Sequence, residues 1–422
     1  MKFNLYTLND ISIKIYSGGT PSRKEKSYWA NGNIPWLKTN LIGKYKIYDT
    51  EEYITELGLE NSSAKMLKPN TLTIAMYGDG VTRGKVSIVA KPMTTNQACC
   101  NIEIDPAKAD YMYVYYLLKN SYSKLRRMSN GGAQQNLNVK LIKEFEVGLP
   151  ALEEQKRISN ILKSLDEKIG SNEKLIDNYE KLAEALFKGW FIDFEFPDDN
   201  DQLYKSNGGK MVSTEIGIIP ERWKSSYLGD LITEQKVKNK EEKEYPVLTV
   251  IKEGRFITSD DFFDKQVYSK KLNNYKLINR FEVGFNPSRA NIGSIALLRE
   301  YEVGLLSPAY KIFKIKDKLT PEYIFYLMKT TYFKEFVKSN SVGTTRQNLD
   351  LKSFDSYPIP VPPNDLLSKF SRVINTIWNS VNELKVENEK LASLRDNISF
   401  EFLSGEVEFP SDTEVISHVP VS

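Results

Sequence analysis

The chain holds two cysteines and one histidine in 422 residues. Cys99 and Cys100 are neighbours in an apolar, strand-like run. They suit neither a disulfide framework nor a thiolate metal site, and they read as buried structural thiols. His418 lies near the end of the chain, which leaves imidazole acid-base chemistry and histidine metal sites without a residue to perform them. Long apolar runs are missing as well. None reaches the ~20 residues of a membrane span, and the amino terminus has no signal-peptide core, so a cytoplasmic protein with no membrane contact is expected. Excess charge is small, since 58 basic and 55 acidic side chains leave a net charge of +3. That value does not identify a nucleic-acid binder, although basic residues gathered on one face would still serve one.

Catalytic signatures are equally scarce. The string nearest to an adenine-methyltransferase loop, Asn286-Pro287-Ser288-Arg289, lacks the aromatic residue that would hold a flipped base. Gly78-Asp79-Gly80-Val81-Thr82-Arg83-Gly84 has neither dinucleotide-loop spacing nor a phosphate-loop lysine; it reads as a DNA-facing hairpin loop, with a plain turn as the alternative. No carboxylate pair stands out in a nuclease-like spacing. No catalytic residue, no metal and no cofactor are assigned to this chain.

What is present is a repeat. Gly131-Gly132-Ala133-Gln134-Gln135-Asn136-Leu137 and Gly343-Thr344-Thr345-Arg346-Gln347-Asn348-Leu349 place Gln135 and Gln347 212 positions apart. A repeat at half the chain length fixes the architecture before any local argument. Each motif is followed by a Pro-bearing apolar run, Val147-Gly148-Leu149-Pro150 or Ile359-Pro360-Val361-Pro362, and then by a long helical pattern. In the first, Ile158, Leu162, Leu165, Ile169, Ile176, Tyr179, Ala183, Leu186 and Trp190 alternate steps of four and three, with Asn172 in the skipped place. The second follows the same register through Phe370, Ile374, Ile377, Val381, Leu384, Asn388, Leu391, Arg395, Ile398 and Phe402. Such a narrow stripe buries itself against one partner helix, and a polar residue inside it controls register. Paired with each other, the two helices must run antiparallel. At ~1.5 Å per residue the first seam spans about 48 Å, a spacer comparable to the ~34–36 Å between successive major-groove faces of B-DNA.

The segments before the helices correspond loosely. Each begins with Leu8-Asn9-Asp10-Ile11 or Leu228-Gly229-Asp230-Leu231 and reaches a Pro-led run, Ile34-Pro35-Trp36-Leu37 or Tyr245-Pro246-Val247-Leu248. Strand, loop and strand follow over 71–76 and 85–90 in the first, and over 281–285 and 293–298 in the second. A third strand is predicted over 98–104 or 309–315, then a Tyr-rich amphipathic helix over 109–120 or 321–338. The expected fold is α+β with a pseudo-two-fold internal repeat: two similar domains separated by a pair of long antiparallel coiled-coil helices. The divisions are 1–150, a helix over 151–196, a polar linker over 197–212, 213–362, a helix over 363–409 and a tail over 410–422.

These residues resemble the specificity (S) subunits of type I restriction-modification enzymes. The strongest element is Leu149-Pro150-Ala151-Leu152-Glu153-Glu154-Gln155-Lys156-Arg157-Ile158, similar to the sequence that opens the central spacer helix in that family. Thr94-Thr95-Asn96-Gln97-Ala98-Cys99 and Gly217-Ile218-Ile219-Pro220-Glu221-Arg222-Trp223 add to it. The second helix departs from the pattern, with Asn364-Asp365-Leu366-Leu367-Ser368-Lys369-Phe370 at its start. The resemblance implies two target recognition domains, each reading half of a split site in double-stranded DNA. It further implies two methyltransferase subunits that dock along the helices and bring S-adenosylmethionine, restriction subunits that join the complex, and no catalysis by this chain. A specificity subunit of a related bipartite-site system is the neighbouring alternative; a single-chain nuclease or methyltransferase, or a coiled-coil adaptor without DNA contact, are the rivals.

Direct readout uses Arg or Lys for guanine and Asn or Gln for adenine, with smaller donors for phosphate. Loop residues of those types in the first domain are Thr39, Asn40, Arg83, Asn96, Gln97, Arg127, Gln134 and Gln135. In the second they are Ser288, Arg289, Asn291, Ser307, Arg346 and Gln347. A motif shared by two domains that read different sequences suits structure or phosphate contact better than base reading, which bears on Gln135, Asn136, Gln347 and Asn348.

Overall fold

The computed structural model describes residues 2–78, 80–128, 136–263, 268–341 and 348–404. The chain forms two compact units: Met1–Glu173 with Lys385–Ser422, and Lys174–Leu384. Each is built on a mainly antiparallel sheet. In the first unit the strands lie in the order Ser12–Ser17, Cys99–Ile104, Leu72–Ala75, Val86–Val89 and Lys46–Ile47. In the second the order is Ile232–Gln235, Lys311–Ile315, Val283–Phe285 and Ile295–Leu297. The first four places match one to one, so the loose sequence correspondence is a structural repeat. The runs read as strands are continuous rather than alternating because both faces are covered: Leu72, Ile74, Ile88 and Ile102 have no exposure in one sheet, and neither do Val283, Phe285 and Ile312 in the other.

The chain ends of each globular part are tied together in the same way. Asn4–Thr7 pairs antiparallel with Glu146–Leu149, and Lys224–Tyr227 with Pro358–Val361. The Pro-bearing runs form strands here because a two-stranded ribbon leaves the edge that a proline requires. The Leu-x-Asp-Ile segments follow at once, burying Leu8 and Ile11, or Leu228 and Leu231, at 1% exposure or less.

The predicted helix over 321–338 is corrected. It is two helices, Pro321–Lys329 and Thr331–Ser339, broken at Thr330. Thr330 takes an extended backbone and its Oγ1 accepts from the Phe333 amide, so it caps the second helix instead of continuing the first. The first unit shows the same break, with Tyr111–Asn120 followed by Tyr122–Met128.

The long helices are Leu152–Phe191 and Asn364–Ser404, of 40 and 41 residues. In the first unit their halves run antiparallel: Asp166 meets Arg395, and six residues on Asn172 donates to Asn388 at 2.9 Å. In the second unit Phe187, Trp190 and Phe191 pack on Phe370 with ring centroids 4.8–6.0 Å apart. Every seam position is buried or half-buried. Ile158, Leu162, Phe370 and Ile374 are fully buried, and each contributes about 1.5–3 kcal/mol of transfer free energy. The buried stripe is wider than the heptad positions, since Gln155, Ser159, Asp166, Phe187 and Phe191 are also buried.

Gln155 explains the start of the first long helix. Its Nε2 donates to the Pro150 carbonyl at 2.9 Å, while its Oε1 accepts from the amide of Asp110, the cap of Tyr111–Asn120. In the second copy buried Leu367 stands 212 positions later and Leu366 beside it is also buried, so that helix is anchored by packing. The polar segment after the first helix is folded back on itself. Pro197 bridges to Leu203, Ser206 bonds Glu195, and Phe196 stacks between Tyr204 and Trp223.

Candidate nucleic-acid interface

In each unit three segments distant in sequence meet at one end of the central sheet. Met76, just past the strand Leu72–Ala75, is the meeting point in the first. Its amide donates to the Ala98 carbonyl at 2.8 Å and its carbonyl accepts from Leu137 at 3.1 Å. The turn after Thr94–Thr95, the hairpin loop 76–85 and the end of the repeated motif are thereby brought together. Tyr122–Met128 holds the hairpin loop from outside: Tyr122 Oη donates to the Val81 carbonyl and Arg126 Nη1 to the Gly80 carbonyl, at 2.7 and 2.8 Å. In the second unit the Leu349 amide donates to the Pro287 carbonyl at 3.0 Å, and Thr331–Ser339 packs on the turn Ala290–Ile292. Leu137 and Leu349 are each 1% exposed. The shared leucine that ends the motif is therefore pinned to a sheet-end hairpin in both copies.

The sequence candidates distribute over this edge as follows. Arg127 is exposed on Tyr122–Met128. Arg83 is 8% exposed and lies inside the hairpin loop, whose outer positions are Tyr77, Gly80 and Val81. Thr39 and exposed Asn40 form a turn directly after the strand Ile34–Leu37. That strand pairs parallel with Thr94–Thr95, and the Asn96 amide donates to the Leu37 carbonyl, so Thr39, Asn40, Asn96 and Gln97 share one end of a three-stranded sheet. Asn96 is committed to its own turn, its Oδ1 accepting from Ala98 and Cys99. Gln97 is exposed and bonds Thr20.

In the second unit Ser288 and Arg289 are both exposed. They line a cavity of about 490 Å³ with Thr249, Phe263, Asn286 and Tyr310. Asn286 Oδ1 accepts from Ser288 at both its amide and its hydroxyl, which fixes the turn that presents Arg289. Ser307 joins through Tyr310, whose amide donates to its carbonyl and whose hydroxyl meets Thr249 at 3.1 Å. Asn291 is half-buried in the turn Ala290–Ile292. Gln134, Gln135, Arg346 and Gln347 lie outside the described residues. Sequence reading passed over Thr20, Thr249, Asn286 and Tyr310; the pair Gly18-Gly19 before Thr20 was the available signal. A Cβ on Gly18 would stand 2.2 Å from Thr95 Oγ1 and one on Gly19 2.3 Å from the Ser63 backbone, so only glycine lets this segment cross so closely.

Among the described residues no group of three His, Cys, Asp or Glu side chains could hold a metal ion, and no helix is long and apolar enough to cross a membrane. Glu52, beside Thr39 and Asn40, has its carboxyl held below the usual range by the hydrogen bond from Lys38 and by Arg23. Burial pushes the Cys99 and Cys100 thiols up to about 12.

Comparison with known proteins gives a consistent picture. The family model for the type I restriction modification DNA specificity domain matches residues 2–181 and 220–385. The MjaIX type I restriction enzyme specificity subunit of Methanocaldococcus jannaschii is 27% identical over 412 residues, covering 93% of this chain and 91% of that protein. The EcoR124I/EcoR124II specificity subunit of Escherichia coli is 31% identical over 163 residues, 38% of this chain and 40% of its own. In fold the chain is similar to the crystal structure of a type I restriction-modification S subunit from M. genitalium, with a TM-score of 0.58, 16% identity and 97% of each chain covered.

Proposed function

We propose that each half of this chain reads one half of a split DNA target, because the chain belongs to the type I restriction-modification DNA specificity family. It is a specificity subunit, and catalysis in such systems resides in partner subunits. The observation that carries the proposal is the repeated convergence: in both units a sheet-end hairpin meets the end of the repeated motif through a backbone bond at Met76 or Pro287, and a short helix packs on that hairpin. Two equivalent edges with different side chains suit two different half-sites. Arg289, Ser288 and Gln97 are base readers; Arg127 is a phosphate contact. The seam residues set the spacing between half-sites through the length of their helices. Two methyltransferase subunits carrying S-adenosylmethionine dock on the long helices, and restriction subunits join them.

The test contrasts two arginines in the complex with its methyltransferase. Arg127→Ala weakens binding to all duplexes alike and lowers the slope of log affinity against log salt by about one unit. Arg289→Ala relaxes discrimination at one position of one half-site, a contact worth about 1–3 kcal/mol. Competition with duplexes substituted one base pair at a time separates the two. If Arg289→Ala weakens every duplex equally, or alters both half-sites, its assignment is wrong.

A further inference from the structure

Beside Thr39, Asn40 and Gln97 lies an arginine held in an unusual way. Residues 18–23 cross the sheet made of Glu52–Ile54, Ile34–Leu37 and Thr94–Thr95. Glu52 and Trp36 are directly opposed on neighbouring strands, so their side chains share a face. Over that face the Arg23 guanidinium sits 3.6 Å from the Trp29 ring and 4.8 Å from the Trp36 ring. Its Nη2 meets Glu52 Oε2 at 2.5 Å. The platform is itself fixed: the two indoles pack edge to face with centroids 5.0 Å apart, Trp29 Nε1 donates to the Ser22 carbonyl, and Trp36 Nε1 donates to Gly19. Despite this, the Arg23 side chain is 52% exposed.

A surface arginine usually keeps its rotamer freedom, which it must give up when it docks on a base. Here stacking sets the plane of the guanidinium and one carboxylate sets its rotation, while about half of the side chain stays exposed. Glu52 also holds Lys38, so two cations share one anion and neither is fully neutralised by it. The second unit carries nothing of the kind at the equivalent place; its own stacked arginine, Arg299 over Phe325 and Trp378, has a side chain only 22% exposed and lies just past the strand Ile295–Leu297. Between its strands Ile232–Gln235 and Leu248–Val250 the chain reads Lys236-Val237-Lys238-Asn239-Lys240-Glu241-Glu242-Lys243-Glu244-Tyr245, with neither arginine nor tryptophan. A device present at this place in one repeat and absent from the same place in the other is where the two halves can differ in what they read.

We infer that Arg23 is a specificity-determining residue of the first unit, presenting its guanidinium to the O6 and N7 edge of a guanine in the half-site which that unit contacts. The inference rests on the proposed function. Charge alone does not suffice for the role, because the planar fork supplies the two parallel donors and a lysine cannot reproduce the stack. Glu52 is a positioning residue that acts through Arg23.

The test maps methylated adenines by single-molecule sequencing in a host without adenine methylation. The full chain is expressed there with the methyltransferase subunit of its own system. The wild-type map yields two sequence blocks, one containing a required guanine. Arg23→Ala relaxes that position by roughly tenfold or more and leaves the other block unchanged. Glu52→Gln relaxes the same position less. Arg23→Lys, which keeps charge and stem if the alanine variant does not accumulate, relaxes it too. An unchanged motif in Arg23→Ala or Arg23→Lys overturns the inference, as does relaxation spread over both blocks. A wild-type map without two separated blocks refutes the bipartite reading itself, and the role of Arg23 falls with it.

Discussion

Arg395→Ala removes one partner of a buried ion pair and leaves the other stranded. Asp166 is 3% exposed and Arg395 13%; they meet at 2.5 Å, and the remaining aspartate oxygen accepts from Tyr116 Oη at 2.7 Å. Breaking such a pair costs about 3–5 kcal/mol because an uncompensated charge stays behind. The Tyr116 bond to Asp166 persists and the second partner of Arg395, Asp396, is exposed, so the expected cost is about 3–4 kcal/mol at pH 7. For a cooperative block of this unit's size, that is a fall in Tm of roughly 6–16 °C. Thermal denaturation of both proteins at pH 7 is the assay. Replacing both residues together, Asp166→Leu with Arg395→Leu, leaves stability within about 1–2 kcal/mol of wild type or raises it. A deficit in Arg395→Ala under about 1 kcal/mol would show that the pair is not buried as described.

Cys99 and Cys100, with thiols pushed up to about 12 by burial, resist iodoacetamide in the native protein and react once it is denatured; modification of either in the folded chain at pH 8 contradicts their placement. Burial, the largest cause in each case, raises Tyr115, Tyr116, Tyr323 and Tyr357 above the ordinary tyrosine value of 10.0. Their contribution is complete below pH 10 and is lost as pH climbs above it, so denaturant midpoints should hold from pH 8 to 9.5 and drop beyond; a flat profile to pH 11.5 refutes this. Four residues inserted after Asn172 rotate the seam and lengthen the helix, so the recognised spacing changes or the protein collapses; the original spacing at full stability contradicts a role for helix length.

Most of the fold was legible because it is written twice. The 212-residue offset aligned the motifs, the Pro-bearing strands and both seams, and continuous apolar runs gave the central strands to within two residues at each end. What escaped depends on contacts from distant parts of the chain. Thr330 lies in a periodic pattern that continues past it, and only its backbone and its bond to Phe333 reveal a cap. Arg395 occupies a seam position that sequence treats as apolar, while its partner Asp166 comes from the other helix and stands one place off the seam. At the candidate interface, residue type identified exposed Asn40, Gln97, Arg127, Ser288 and Arg289. It did not distinguish Arg83, folded into its loop, or Asn96, committed to its turn, because both kinds of arginine and asparagine look alike until their surroundings are known. Arg23 was passed over for the converse reason: nothing in sequence shows that Trp29, Trp36 and Glu52 gather round it.

On the proposed function, this chain by itself chooses which DNA sites are methylated. Mapping methylated adenines in a methylation-free host carrying the methyltransferase subunit, with and without this chain, tests it most directly. A single motif of two blocks at constant spacing, present only when the chain is expressed, is the predicted result. Methylation at the same sites without the chain, or at an undivided motif, would contradict it.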